Sequence, residues 1–470
     1  MKWRPYAVLG SVALLLALSA CSHFQRPATK PQAALPAQAV PAAWLASPVP
    51  QTASSTPTAQ PIEDPLLAAL QARVLANSTS LAQVKNNVAT ARAALTSSQA
   101  NALPQLNANA SFNRSASGFL GNVFISNQSQ AGFQASWELD LFGLIARQSE
   151  AALARLQQNV NLMAQVQESL RSETASLLVQ RRLCEAQLDM LKQESASAKT
   201  VLSALEKTRA VGLRSESDVL KFKSQVVDYD NAVTQQQASC DAQVKALVAL
   251  SAYPEGELRA LLKPAHGLLP KATVAPVVVV PADALSNRPD VRALLWAVDA
   301  ASADLGAEQA ARYPRLSLSG SIAPTRFESA QFGSFNYRAW SIGPSVSLPV
   351  FDGGRRKASI EAAKSAYELA RQELEAKVRD AVKEVEQALV DLNSQDQQSK
   401  VLQTYQRDLL AQTRRSEQQF TVGLINGLDL EQDRRNQWAA QRQVNQNQAA
   451  QILAMLNLHR ALGGTWAYSE

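Results

Sequence analysis

Two periodicities divide the chain. In the first, apolar and polar residues alternate singly. Leu106, Ala108, Ala110 and Phe112 alternate with Asn107, Asn109, Ser111 and Asn113, and Phe133, Ala135, Trp137, Leu139 and Leu141 with Gln134, Ser136, Glu138 and Asp140. Further on, Leu316, Leu318 and Ile322 alternate with Ser317, Ser319 and Ser321, and Trp340, Ile342, Val346, Leu348 and Val350 with Ser341, Gly343, Ser345 and Ser347. These runs predict β-strands over about 103–115, 129–141, 314–326 and 337–350. Period two over roughly ten residues fits a strand with one face in lipid and one in a wet lumen. It fits a half-buried soluble sheet equally well.

The second periodicity is sevenfold. Leu156, Met163, Leu170, Leu177 and Cys184 form one apolar seam, Val219, Val226, Val233, Cys240 and Leu247 a second, and Ile360, Tyr367, Leu374, Ala381 and Ala388 a third. Sustained heptads predict coiled-coil packing. Residues 146–210 and 355–422 contain neither Pro nor Gly. At about 1.5 Å per residue each would make a helix on the order of 100 Å long. Gln, Ala, Ser and charged residues surround the seams, which suits the wall of a hollow tube better than a solid globule.

The pattern is written twice. Leu103-Pro104-Gln105-Leu106 recurs as Tyr313-Pro314-Arg315-Leu316, Asp140-Leu141-Phe142-Gly143 as Pro349-Val350-Phe351-Asp352-Gly353, and Val211-Gly212-Leu213 as Val422-Gly423-Leu424. All three pairs lie about 210 residues apart in the same order, the mark of a duplicated unit. The first repeat spans 66–262 and the second 284–470, with a linker over 263–283. Each reads as a strand pair followed by a helical hairpin. Gly212 and Gly423 mark the tips, since glycine suits the left-handed cap that ends a helix.

The N-terminus gives these elements a setting. Lys2, Trp3 and Arg4 precede a short apolar run and small residues, which predicts a signal peptide over 1–20. Leu18-Ser19-Ala20-Cys21 reads as a lipobox that makes Cys21 the acylated first residue of the mature chain; the alternative is an ordinary signal with a chance cysteine. By likeness to bacterial lipoproteins, Ser22 permits outer-membrane sorting. Residues 21–65, rich in Pro, Ala, Ser, Thr and Gln, read as lipid anchor and extended linker. No later stretch is apolar enough for a spanning helix, so any crossing is made by strands. Four strands cannot close a barrel, and an open edge in lipid leaves backbone groups unsatisfied. Three chains would supply twelve strands, and closed symmetry is the usual way oligomers form.

Charge and chemistry narrow the function. The formal charge of +6 falls to +4 once Lys2 and Arg4 leave with the signal, and the remaining bases are interspersed with acids. That excludes nucleic acid as a natural partner. Only His23, His266 and His459 are present, far apart, with no metal-spaced pair and no nucleophile motif. The chain therefore reads as no enzyme, with no metal and no cofactor beyond the lipid at Cys21. It also lacks a phosphate-binding loop, so energy must come from elsewhere. Cys184 and Cys240 are equidistant from Gly212, which sets them opposite one another in an antiparallel hairpin. Disulfide and paired buried thiols are both open, and an oxidising periplasm favours the disulfide.

These residues together resemble the TolC-like outer-membrane efflux proteins, in the lipidated OprM/NodT branch. The resemblance rests on Ala102 to Leu106, Trp137 to Gly143, Leu285 to Arg292, Ala311 to Leu316, Pro349 to Arg355 and Leu462 to Trp466, and covers roughly residues 60–470. It implies a mainly α protein with transmembrane β, in which a trimeric twelve-stranded barrel continues into a periplasmic α-helical barrel. It implies a homotrimer working with a periplasmic adaptor protein and an inner-membrane transporter, of the RND type. It implies that Val211, Gly212, Leu213, Val422, Gly423 and Leu424 contact the adaptor, and that Asp218, Asp429, Leu424 and Ile425 form the periplasmic gate. Asp218 would hold neighbouring hairpins together, and three copies of Asp429 would ring the aperture and attract cations. Both acids also fit as solvated residues near a helix start. Two positions depart from the archetype: Ile425 replaces a basic residue and Gln432 an aspartate. The alternative to a channel is a structural outer-membrane lipoprotein with a periplasmic coiled coil, which accounts for the heptads but not for the duplicated strand pairs.

Overall fold

The computed structural model describes residues 32–46, 62–119, 122–272, 281–330 and 333–464. The signal segment and Cys21 lie outside the described residues. No described helix is long and apolar enough to cross a membrane. The chain divides into two units. One comprises Met1–Ala34, Ala89–Gln158 and Leu294–Gln372, the other Leu35–Val88, Asn159–Ala293 and Glu373–Glu470.

The first unit is built on a four-stranded sheet. Its strands are β2 (Gln105–Phe119), β3 (Asn122–Leu139), β5 (Arg315–Ser329) and β6 (Gly333–Ser347), in the order β2-β3-β5-β6. Every neighbouring pair is antiparallel. Register aligns the two faces across all four strands. Ala108, Phe133, Ile322 and Trp340 make one row, and Asn107, Gln134, Ser321 and Ser341 the next. The apolar row belongs to a surface carrying Leu106, Phe112, Trp340 and Ile342, each about 70% exposed. The polar surface is knit by bonds such as Ser321 Oγ to Ser341 Oγ at 2.8 Å.

The strands differ from their expected bounds at both ends. They run further toward their turns. In the first pair, ladder pairs such as Arg114–Asn127 join stretches without steady alternation. In the second, Phe335 and Tyr337 alternate with Asn336 and Arg338 in the phase opposite to Trp340 and Ile342. At the other end they stop earlier. Asp140 leaves the sheet to accept the Ala146 N–H at 2.7 Å, and Asp352 accepts from Gly354 at 3.0 Å and Arg356 at 3.2 Å. These carboxylates cap the first turn of the following helices. The recurring Asp-Gly motifs are thus strand-to-helix elbows. Phe142 stacks on Tyr313 with ring centroids 4.9 Å apart, and Trp137 Nε1 donates to the Ala102 carbonyl at 2.9 Å.

Gly132 is required by its neighbour. A Cβ there would lie 2.2 Å from the Ile322 carbonyl oxygen. Pro324, which has no N–H, sits beside this point in a central strand, and pairing skips from Gln130–Thr325 to Phe133–Ile322.

The second unit is helical. It contains α1 (Leu67–Asn77), α4 (Glu216–Ser251), α5 (Glu255–Leu262), α6 (Pro281–Asn287) and α9 (Gly427–Ala461), with the greater parts of α3 (Leu144–Ala210) and α8 (Arg355–Thr421). Helices α2 (Thr79–Ala100) and α7 (Pro289–Ala310) reach into it from the first unit. Its core joins Leu67 and Leu70 of α1, Leu178 of α3, Leu247 of α4, Leu258 of α5 and Ile452 and Leu456 of α9. The heptad seams are buried at Leu170, Cys184, Val219, Val226, Cys240 and Leu247, and along α8 at Leu374, Val378, Ala381, Val385 and Ala388.

The two expected linkers hold structure. Within 263–283, a short 3-10 turn over Lys263–Ala265 precedes β4 (Lys271–Ala272), which pairs with β1 (Ile62–Glu63). Residues 273–280 lie outside the described set. The N-terminal stretch is fastened by carboxylates. In the first unit, the N–H groups of Gln32 and Ala33 donate to Asp299 at 2.7 and 2.8 Å. In the second, those of Leu45 and Ala46 donate to Glu386 at 2.7 and 2.9 Å, beside the buried Trp44.

Candidate functional site

Both hairpin tips close in the same way. Gly212 and Gly423 have φ of 74° and 77°. Gly212 N–H donates to Arg209 O at 2.8 Å and Leu213 N–H to Thr208 O at 3.0 Å. In the second repeat Gly423 N–H donates to Phe420 O at 3.1 Å and Leu424 N–H to Gln419 O at 2.8 Å. This is the Schellman cap, which satisfies the last carbonyls of the outgoing helix and needs a left-handed residue. The returning helices are capped too. Ser215 Oγ accepts from Asp218 N–H at 3.1 Å, and Asn426 Oδ1 accepts from Leu428 and Asp429 N–H at 2.8 and 3.0 Å.

Rigid caps present apolar side chains to water. Val211 and Val422 are each 70% exposed, and Leu213 and Leu424 each 75%. Exposed apolar residues on a preformed turn are what a protein partner covers. Ile425 is half-buried. Asp218 is half-exposed, and the Ser215 hydroxyl, followed by the Ser215 amide and the charges of Arg214 and Lys221, holds its carboxyl below the ordinary carboxylate value. Asp429 is exposed in the first turn of α9. Cys184 and Cys240 form a disulfide with Cα atoms 5.6 Å apart.

The two hairpins of one chain meet near their tips. Leu428 packs on the cluster of Val201, Leu205 and Val219, and the Arg435 guanidinium lies 5.4 Å from the Phe222 ring centroid. Above the second tip, Arg434 reaches Glu417 at 3.0 Å and Glu431 at 2.7 Å. Asp433 accepts from Ser416 Oγ at 2.5 Å and Gln412 Nε2 at 2.8 Å. Sequence reasoning missed this network because its members face each other only across the folded hairpin.

It also missed what the Asn287-Arg288-Pro289-Asp290 motif does. Arg288 is 4% exposed. Its Nε and Nη2 grip Asp290 at 3.0 and 2.7 Å, Nη2 also reaches Glu384 at 2.7 Å, and Nη1 donates to the Ala461 carbonyl at 2.7 Å. Lys377 lies 2.8 Å from Asp290. Burial alone would push the Asp290 carboxyl up, but these two cations bring it down to about 2. The motif is a structural hub that fastens the end of α9.

The sheet carries the second candidate surface. Among the described residues, edge strands β2 and β6 have no partner on their outer sides. Being first and last in an antiparallel set of four, they run in opposite directions, so one chain's β6 can pair antiparallel with another's β2.

The chain matches the outer membrane efflux protein family over residues 70–252 and 280–464. The solvent efflux pump outer membrane protein SrpC of Pseudomonas putida is 27% identical over 416 residues, 87% of each chain. The toluene efflux pump outer membrane protein TtgF of Pseudomonas putida is 28% identical over 472 residues, covering 97% of this chain and 96% of that protein. Among solved structures, the outer-membrane channel OprN superposes with a TM-score of 0.79 at 26% identity, over 94% of this chain and 98% of that one.

Proposed function

The chain belongs to the outer membrane efflux protein family, a family of channels rather than enzymes, and from that premise we propose how its own residues serve a tripartite export system. Three copies join β6 to β2 into a twelve-stranded barrel in the outer membrane. The observation that supports this is the register, which gathers Leu106, Ala108, Phe133, Ile322, Trp340 and Ile342 on one face, read as the lipid side, and Asn107, Gln134, Ser321 and Ser341 on the other, read as the lumen side. Open edges in hydrocarbon would leave a row of backbone groups without partners. Two copies would make eight strands, a barrel whose interior side chains fill; three leave a passage.

The hairpins extend into the periplasm. Their capped Val-Gly-Leu tips meet the adaptor, which links the duct to an inner-membrane transporter of the RND type. Docking opens the tips by favouring one conformation of a pre-existing pair. A lipid on Cys21 adds a second membrane anchor to the inserted barrel.

Purification from outer membranes, mass measurement of the intact oligomer and planar-bilayer recording test the proposal together. Three chains per particle with a small, cation-sensitive conductance are expected. Well-folded monomer without conductance would overturn the barrel and favour a structural lipoprotein. An unmodified Cys21 in the N-terminal peptide mass would remove the lipid anchor alone.

A further inference from the structure

The face of the sheet that carries Trp340 changes character toward the turns. Beyond the row of Ala108, Phe133, Ile322 and Trp340, the same face continues as Ala110, Ala131, Pro324 and Arg338. The next row is Phe112, Ser129, Arg326 and Asn336, and the one after it Arg114, Asn127, Glu328 and Ser334. The pairs Phe133–Ile322 and Gln130–Thr325 are in the same phase, so the face is continuous across the skipped pairs between them. Apolar rows thus give way within three steps to rows bearing three arginines and one acid.

The opposite face changes the other way. Level with the arginines it carries Phe327, Phe335 and Tyr337, with ring centroids 5.2 Å apart for the first two and 6.0 Å for the last two. Cations on the outside and aromatic rings on the inside are the reverse of what strands in hydrocarbon require. The apolar belt therefore ends just past Trp340, and a tryptophan at that position matches the aromatic girdles found where membrane meets water. The turns of both strand pairs lie at the end away from the helices, so this is the boundary toward the cell exterior.

Arg326 and Arg338 stand on adjacent strands as diagonal neighbours, a relation that sets Cβ atoms about 7–8 Å apart. Arg326 holds Glu328 through Nε at 2.7 Å and Nη2 at 2.6 Å, and a guanidinium keeps further donors for a second acceptor. Arg114 and Arg338 are exposed. Arg338 lies on edge strand β6 and Arg114 on edge strand β2. Joining β6 of one copy to β2 of the next sets these cations on the two sides of one seam.

We propose that each seam carries a phosphate site for an anionic lipid headgroup of the outer leaflet, formed by Arg326 and Arg338 of one copy and Arg114 of the next. The inference rests on the channel reading, which turns this face toward lipid. Guanidinium groups pair with phosphate oxygens through two parallel bonds, and these stand at the height where hydrocarbon gives way to headgroups. Glu328 keeps the arginine pair spread rather than neutralised, since three cations face one acid on these rows.

Native mass spectrometry of the intact detergent-solubilised oligomer, titrated with bisphosphorylated lipid A, tests the site. Affinity should fall at least tenfold in Arg114→Gln/Arg326→Gln/Arg338→Gln, and equally when the lipid A phosphates are removed. Arg315→Gln, a cation of the opposite face, should leave affinity unchanged. Equal binding by the triple variant and the unmodified protein would overturn the proposal. Should the triple variant not assemble, Arg338→Gln alone decides, with at least a threefold loss expected. Displacement of lipid A by inorganic phosphate at equal concentration would overturn the lipid assignment in favour of a free anion. A fluorophore on Trp340→Cys in vesicles of acyl-brominated phospholipid separates this from the channel reading. Quenching with unchanged lipid A affinity would sink the phosphate site alone, whereas no quenching would sink the lipid-facing assignment and the site with it.

Discussion

Replacing Arg288 by Met removes a buried cation of nearly the same length. Four contacts disappear: two to Asp290, one to Glu384 and one to the Ala461 carbonyl. Breaking a buried ion pair by removing one partner costs about 3–5 kcal/mol. Asp290 keeps Lys377 at 2.8 Å, which places the expected loss near the lower end, ~3 kcal/mol. Local opening of the α9 terminus and the start of α7 should therefore rise about a hundredfold. Hydrogen exchange of peptides around 285–295 and 455–464 reads this without requiring reversible unfolding of a membrane oligomer. Acid adds a second signature. The Asp290 carboxyl sits at about 2 against an ordinary 3.8, a depression worth about 2 kcal/mol. Because the folded value is the lower one, this stability is complete above the ordinary value and is lost as pH falls through about 2. In the Met variant burial persists while the principal counter-charge is gone, so acid loosening should begin at higher pH. Exchange profiles of the two proteins that coincide between pH 3 and 7 would refute the hub.

Four further outcomes follow from the same geometry. Gly132→Ala drives a methyl against the Ile322 carbonyl and should cost about 1–3 kcal/mol, seen as a lower dissociation temperature of the oligomer; Gly118→Ala, with open space around it, should not. Trp340→Arg should destabilise barrel insertion by about 2–4 kcal/mol, whereas Ser341→Arg on the opposite face should change conductance instead; equal effects in vesicle folding titrations would reverse the assignment of faces. Cys184→Ser/Cys240→Ser opens a 56-residue loop, and the chain-entropy estimate of about 4 kcal/mol should appear as a lower denaturant midpoint for the first hairpin. Asp429→Ala should weaken cation selectivity or cation block, and unchanged single-channel behaviour would remove Asp429 from the aperture.

What the sequence determined by itself was whatever is encoded within a few residues. Alternation at 106–112 and 133–139 specifies strands because successive side chains point to opposite faces. Heptads specify the hairpin seams, and the glycines of both Val-Gly-Leu tips specify caps because little else tolerates a positive φ. The ordered motifs also carried the family, which the match over residues 70–252 and 280–464 establishes. Tertiary structure alone decided the rest. The outer parts of β2 and β3 carry no steady alternation, and only the ladder reveals their full length. Arg288 finds its carbonyl partner 173 residues away, and the N-terminal stretch finds Asp299 and Glu386 more than 260 residues away. Local periodicity names the surface a residue occupies; which residue faces it across that surface is set by chain-distant packing.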